Sequence, residues 1–185
     1  MQQRGIDNMK ANVQKITSQK TDVNYKSGRM ASTFKIVNEK FNRWGGDETN
    51  LDIGGGAGEV ATKYLDALWV ENLTYDPYNR TSEHNQKVLA RCINGGAQTV
   101  TINNVLNVIQ ESECRKEVLQ LAKDCVENGG TVYIKIYEGD KSGQGSETSK
   151  GYQNNIKTID YFSEIKDVFG NVPVDTAHGL IVIDA

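Results

Sequence analysis

Leu51-Asp52-Ile53-Gly54-Gly55-Gly56-Ala57-Gly58-Glu59 decides the fold, because glycines cluster where a short apolar strand gives way to a helix. Asn50 to Ile53 reads as strand and Glu59 to Leu68 as helix. Glycines between them permit a tight turn and let the backbone approach a ligand with no Cβ in the way. The spacing from Asp52 through Gly58 is DxGxGxG. A dinucleotide fingerprint, GxGxxG, needs its third glycine at position 59, which is Glu, and no GK[ST] follows to make a P-loop. A carboxylate two residues before the first glycine would repel a pyrophosphate and suit an ammonium group.

Outward from this stretch, Leu73 to Asp76 is a second strand, closed by Pro77 because proline cannot continue a central ladder. Asp76 stands eighteen residues past Gly58 at that strand's end, where a carboxylate can accept hydrogen bonds from two ribose hydroxyls. The competing reading is that Asp76 initiates an Asp-Pro-Tyr turn. Phe34, Val37, Phe41 and Trp44 form a helical stripe over Met30–Trp44, and Gly45-Gly46 stops it. Ser82 and Ser112 are expected N-caps of two more helices, the first ended by Gly95-Gly96 and the second by Asn128-Gly129-Gly130. Gln98–Asn104, Thr131–Glu138 and Gly179–Ile183 read as strands, and Thr158 opens a last helix stopped by Gly170. Strands alternating with helices predict an α/β fold, Rossmann-like, with a mainly parallel sheet and helices on both faces. The strand count is five.

The chain has 185 residues, 37% hydrophobic and 24% charged, the profile of a globular protein. It divides into an N-terminal arm, 1–29, and one domain, 30–185. Net charge is -3, which gives no support to a dominant nucleic-acid surface, although residues 1–44 hold nine Lys and Arg against three acids. Cys92, Cys114 and Cys125 form no CxxC pair, which excludes a recognisable zinc spacing, and the last two fall on apolar helix positions as buried thiols. With no apolar run of membrane length and no signal peptide, the expectation is a cytoplasmic protein without a membrane partner.

The order and spacing resemble the class I S-adenosylmethionine-dependent methyltransferases, through Asp52–Glu59, Asp76 and Asn103-Asn104-Val105-Leu106-Asn107-Val108-Ile109. A narrower resemblance is to the methyltransferases associated with DNA phosphorothioation, carried by Gly54–Gly58, Asp76-Pro77-Tyr78, Val105–Ile109, Thr148 and Gly151-Tyr152-Gln153. The resemblance implies that Asp52, Gly54, Gly55, Gly56 and Gly58 hold the methionine moiety, that Asp76 beside Pro77 holds the ribose, and that Asn103 and Asn104 border the adenine or the reaction centre. The family's sheet has seven strands, so a strand–helix unit is expected to be missing between Asp76 and Gly129, giving a shortened methyltransferase sheet. No Asn/Asp-Pro-Pro-aromatic motif is present, so methylation of a base amino group has no motif behind it.

Asn103, Asn104 and Asn107 follow a strand's carboxyl end, where open α/β sheets place ligands and where asparagine also caps turns. Arg29 is a candidate for the cofactor carboxylate, against a solvated helix-start arginine. Tyr78 packs on adenine or anchors its loop, His84 reads as a surface residue, and His178 precedes the terminal strand without a partner. Gly139–Lys150 is either a lid or a mobile connection. The expectation is therefore a methyltransferase using S-adenosyl-L-methionine, its acceptor (small molecule, nucleic acid or protein) and oligomeric state left open. The alternative is a non-catalytic module that binds S-adenosylmethionine or another nucleoside. A nicotinamide oxidoreductase is disfavoured by Glu59.

Overall fold

The computed structural model describes residues 30–93, 96–148, 151–171 and 173–185. The expected arm, 1–29, and with it Arg29, lie outside the described residues. In chain order the elements are α1 (Ser32–Lys40), β1 (Glu48–Ile53), α2 (Val60–Asp66), β2 (Val70–Tyr75), α3 (Ser82–Cys92), β3 (Ala97–Asn103), α4 (Ser112–Cys125) and β4 (Val126–Lys135). There follow the short strands β5 (Ser146–Thr148) and β6 (Gly151–Gln153), then α5 (Phe162–Phe169), β7 (Val174–Ala177) and β8 (Leu180–Asp184). Turns of 3-10 helix cover Leu106–Val108 and Thr158–Tyr161.

One sheet runs in the order β2-β1-β3-β4-β8-β7, and β5 and β6 form a separate hairpin. Strands β2, β1, β3 and β4 are parallel, while β8 is antiparallel to both β4 and β7. Side-chain alternation divides the helices between the two faces. Leu51, Ile53, Val100, Ile102, Val132 and Ile134 face α3, α4 and α5 through Val88, Leu119 and Ile165. The other face meets α1 and α2 through Phe34, Val37, Leu65 and Tyr133. Among the described residues no helix is long and apolar enough to cross a membrane.

The fold class is as the sequence predicts, with corrections of detail: the N-caps of α3 and α4 are Thr81 and Glu111, each one residue before the expected Ser82 and Ser112. The main sheet has six strands, not five, because β7 joins at the edge. Its four residues are half-buried or exposed, so no apolar alternation marks it; a two-residue turn with His178 at φ 52 and Gly179 at φ 76 joins it to β8. The glycines expected after α4 lie inside β4, where Gly129 N–H donates to Ala185 O (2.7 Å) and Ala185 N–H to Gly130 O (2.9 Å). The first helix ends at Lys40, and Trp44, at φ 73, turns out of it into the core.

Candidate functional site

From β1 the chain crosses to β2 on one side, and from β2 to β3 on the other, so the strand order reverses at β1. Open α/β sheets bind ligands at such a reversal, outside the carboxyl ends of the strands. Here the glycine loop leaves β1 and Asn103 ends β3. Between them lies a cleft walled by Asp52, Gly54, Gly55, Gly58 and Asn103, with Phe34 and Val60 supplying apolar surface.

Glycine is called for at Gly54 and Gly55 by close packing, and at Gly56 by its φ of 76. Gly54 has φ +75, and a Cβ on it would run into Val105 Cγ2. A Cβ on Gly55 would collide with the Asp52 carboxylate beneath and with the Thr74 methyl. The second loop, after β2, is fastened to the first. Gly56 N–H donates to Asp76 Oδ2 (2.9 Å). Arg80 Nε donates to Gly56 O (2.8 Å), its Nη2 to Gly58 O (3.2 Å), and its Nη1 pairs with Glu59 Oε1 at 2.7 Å.

Asp52 is 3% exposed and receives Thr101 Oγ1–H (2.9 Å) and Asn103 Nδ2–H (3.2 Å) on Oδ1. Asn103 Oδ1 is buried and, among the described residues, has no hydrogen-bond partner. The Asp52 carboxylate and the unpartnered carbonyl oxygen of Asn103 thus belong to two walls of one cleft. Both only accept, so the pair fits a ligand group that is positively charged and carries N–H donors.

The structure brings Asp52, Gly54, Gly55, Gly58 and Asn103 together. Asp76, 4% exposed, faces its own loop and Gly56. Its Oδ1 receives Tyr78 N–H (2.8 Å) and Asn79 N–H (2.9 Å), and its Oδ2 receives Asn79 Nδ2–H (3.1 Å) besides Gly56. Pro77 lies in that turn, and Tyr78 packs on the core. Asn104, exposed at φ 55, gives its N–H to Lys135 O (2.9 Å) and is not a wall of the cleft. His84, expected at the surface, is half-buried with Nε2 on Thr74 O (2.8 Å). Asn107 donates to Gln153 Oε1 (3.0 Å) and His178 packs edge-on to Phe41, both away from the cleft walls. Of the 139–150 loop, residues 139–148 are described: they end in β5, which pairs with β6 (Gly151–Gln153), and are pinned by Asn155, whose Nδ2 donates to Gln144 O (3.0 Å) and whose backbone carbonyl accepts Gly143 N–H (2.9 Å). Arg80 and Thr101 escaped the sequence reading. Thr101 had a signal, since it lies two residues before Asn103 on a strand and so on the same face.

No protein-family model matches the chain, and no curated protein matches it in sequence. Solved structures do. A 1,6-didemethyltoxoflavin-N1-methyltransferase of Burkholderia thailandensis, solved with its substrate and S-adenosylhomocysteine, is 13% identical with a TM-score of 0.63 over 87% of this chain and 83% of that one. A Methanosarcina mazei S-adenosylmethionine-dependent methyltransferase is 10% identical with a TM-score of 0.58, over 78% and 95%. A Rhodobacter sphaeroides protein provisionally named a Zn-dependent alcohol dehydrogenase is 13% identical with a TM-score of 0.58, over 84% and 90%. Likeness at such identities speaks for the backbone arrangement: the chain has a mixed α/β, Rossmann-like fold with a mostly parallel central sheet, a fold it shares with these methyltransferase structures.

Proposed function

We propose that this chain binds S-adenosyl-L-methionine and transfers its methyl group to an acceptor N, O or S. The observation that carries the reading is that Asp52, a carboxylate, and Asn103, whose Oδ1 has no partner among the described residues, both wall the cleft beside the glycine loop. That pair suits the ammonium of the cofactor's methionine end, with Gly54, Gly55 and Gly58 leaving room for the chain beyond it. The solved neighbours that hold S-adenosylmethionine or S-adenosylhomocysteine lend the cofactor's identity. Asp76 takes a ribose hydroxyl in place of the Asn79 amide, the one side-chain donor among its four partners. The narrower kinship with phosphorothioation-associated methyltransferases belongs to the same proposal and rests on Asp76-Pro77-Tyr78 and Val105–Ile109.

S-adenosylmethionine supplies an activated methyl group on a sulfonium, so the protein's share of the work is binding and alignment. Asp52 and Asn103 orient the methionine end, the two clasped loops hold the nucleoside end, and Phe34 and Val60 exclude water from one side of the cleft. Thermal melts with S-adenosylmethionine, S-adenosylhomocysteine and NAD test the reading. Stabilisation by the first two and transfer of a labelled methyl are expected, and stabilisation by NAD alone overturns the proposal. Binding without transfer across a broad acceptor panel identifies the non-catalytic module instead.

A further inference from the structure

The face of the parallel sheet turned toward α1 and α2 is not the run of Val, Ile and Leu that a strand buried on both sides usually carries. Asn50 and Asp52 on β1, Asn72 and Thr74 on β2, and Thr99 and Thr101 on β3 are all buried there. Four of their hydrogen bonds form a continuous series. Trp44 Nε1 donates to Thr99 Oγ1 (2.9 Å), and Thr99 Oγ1 to Asn50 Oδ1 (2.8 Å). Asn50 Nδ2 donates to Thr101 Oγ1 (3.1 Å), and Thr101 Oγ1 to Asp52 Oδ1 (2.9 Å).

The polarity of this series is fixed at both ends. An indole N–H only donates and a carboxylate only accepts, so each hydroxyl between them must receive from the Trp44 side and give toward Asp52. Hydrogen bonds aligned in this way polarise one another, and in a water-free layer they strengthen. The side branch is also satisfied, with Asn50 Nδ2 on Asn72 Oδ1 (2.8 Å) and Asn72 Nδ2 on Thr62 Oγ1 (3.1 Å). Stability alone does not call for such a layer, since apolar groups of the same shape in place of both partners of a buried hydrogen bond can be nearly neutral.

We infer that Thr101, Asn50 and Thr99 are positioning residues, which fix the Asp52 carboxylate beneath the glycine loop and present it to the ammonium group of the ligand. The inference rests on the cofactor reading above and deepens it. Asp52 touches the ligand, while the other three act through it.

Calorimetric titration with two probes separates positioning from general loosening. S-adenosylhomocysteine carries the ammonium, whereas 5′-methylthioadenosine keeps the adenosine and the sulfur and lacks the amino-acid end. In Thr101→Val, S-adenosylhomocysteine affinity should fall about tenfold, the scale of one hydrogen bond to a charged group, with methylthioadenosine affinity unchanged within about twofold. Thr101→Ser should restore the first affinity, and in an Asp52→Asn background Thr101→Val should add nothing. Thr99→Val, one hydroxyl further back, supplies a second variant with a smaller loss of the same selectivity. Equal weakening of both probes, or unchanged S-adenosylhomocysteine affinity in folded variants, overturns the inference and leaves the cofactor reading standing. Wild-type protein that binds neither probe overturns both.

Discussion

Asp76 offers about four lone-pair sites on its two oxygens, and four N–H donors occupy them. Three are backbone amides of Gly56, Tyr78 and Asn79, so the carboxylate holds its own turn closed and ties it to the glycine loop. These contacts match the turn reading of the sequence, while the ribose role is a proposed one. Removing a buried acceptor leaves its donors unsatisfied at about 1–3 kcal/mol each where water cannot reach them. Asp76→Ala is expected to lower unfolding stability by about 2–4 kcal/mol and to weaken S-adenosylhomocysteine binding as Gly56 loses its anchor. Asp76→Asn keeps one carbonyl oxygen and should lose less of both. Denaturant unfolding beside calorimetric titration checks the pair, and full stability in Asp76→Ala would mean that water replaces the carboxylate. What marks Asp76 in the sequence is its place after a strand and before Pro77. Its partner Gly56, 20 residues away, is invisible until the two loops meet.

At the scale of elements, β2 is an edge strand of the main sheet, and unpaired edges invite association with other chains. Tyr75 O accepts Gly54 N–H (2.7 Å) on the β1 side, so the neighbouring Thr74 carbonyl points the other way, out of the sheet. Side chains of α3 meet it there. His84 Nε2 lies on Thr74 O (2.8 Å), and since a carbonyl only accepts, Nε2 carries the proton. The Asn85 amide spans the next residue, receiving Asp76 N–H (3.1 Å) and donating to Asp76 O (2.9 Å), as a paired strand would. Asn85→Ala is expected to cost about 1–3 kcal/mol and to speed hydrogen exchange at the Asp76 amide. Exchange at wild-type rate would show that the Asn85 amide does not guard the edge. Helical periodicity locates α3 in the sequence, but His84 reads there as a surface residue and Asn85 carries no mark, because nothing local announces an open strand edge beside them.

Across the whole molecule, the carboxyl end of the sheet is closed by contacts between distant segments. Asn154 Nδ2 donates to Leu106 O and Ile109 O (2.9 Å each), and Arg115 on α4 is paired in two-pronged fashion with Glu164 on α5. Glu138 joins the 139–150 loop to the segment before α5, pairing with Lys141 (2.8 Å) and accepting Thr158 N–H (2.7 Å). The Lys141 ammonium first, and the Thr158 hydrogen bonds second, hold its carboxyl down at about 2 from the usual 4.5. A carboxyl lowered on folding contributes stability above its unfolded value and loses it as pH falls through the folded one. Glu138 should therefore contribute fully above pH 4.5 and lose its contribution toward pH 2, and Glu138→Gln should flatten that part of the acid-stability curve. Urea midpoints measured in pH steps for both proteins check it, and parallel curves would remove Glu138 from the acid response. The sequence by itself determined the order of the helices and of five of the eight described strands, the glycine loop between β1 and α2, and the placing of Asp52 and Asp76 at strand ends. Those features follow from periodicity, turn chemistry and spacing within a few residues. The tertiary structure alone decided that Trp44, Thr99, Asn50 and Thr101 lead to Asp52, that Arg80 clasps the glycine loop, and that Asp76 is saturated. Their partners stand up to 55 residues apart, and only the reversal of strand order at β1 brings them within the 3 Å reach of a hydrogen bond.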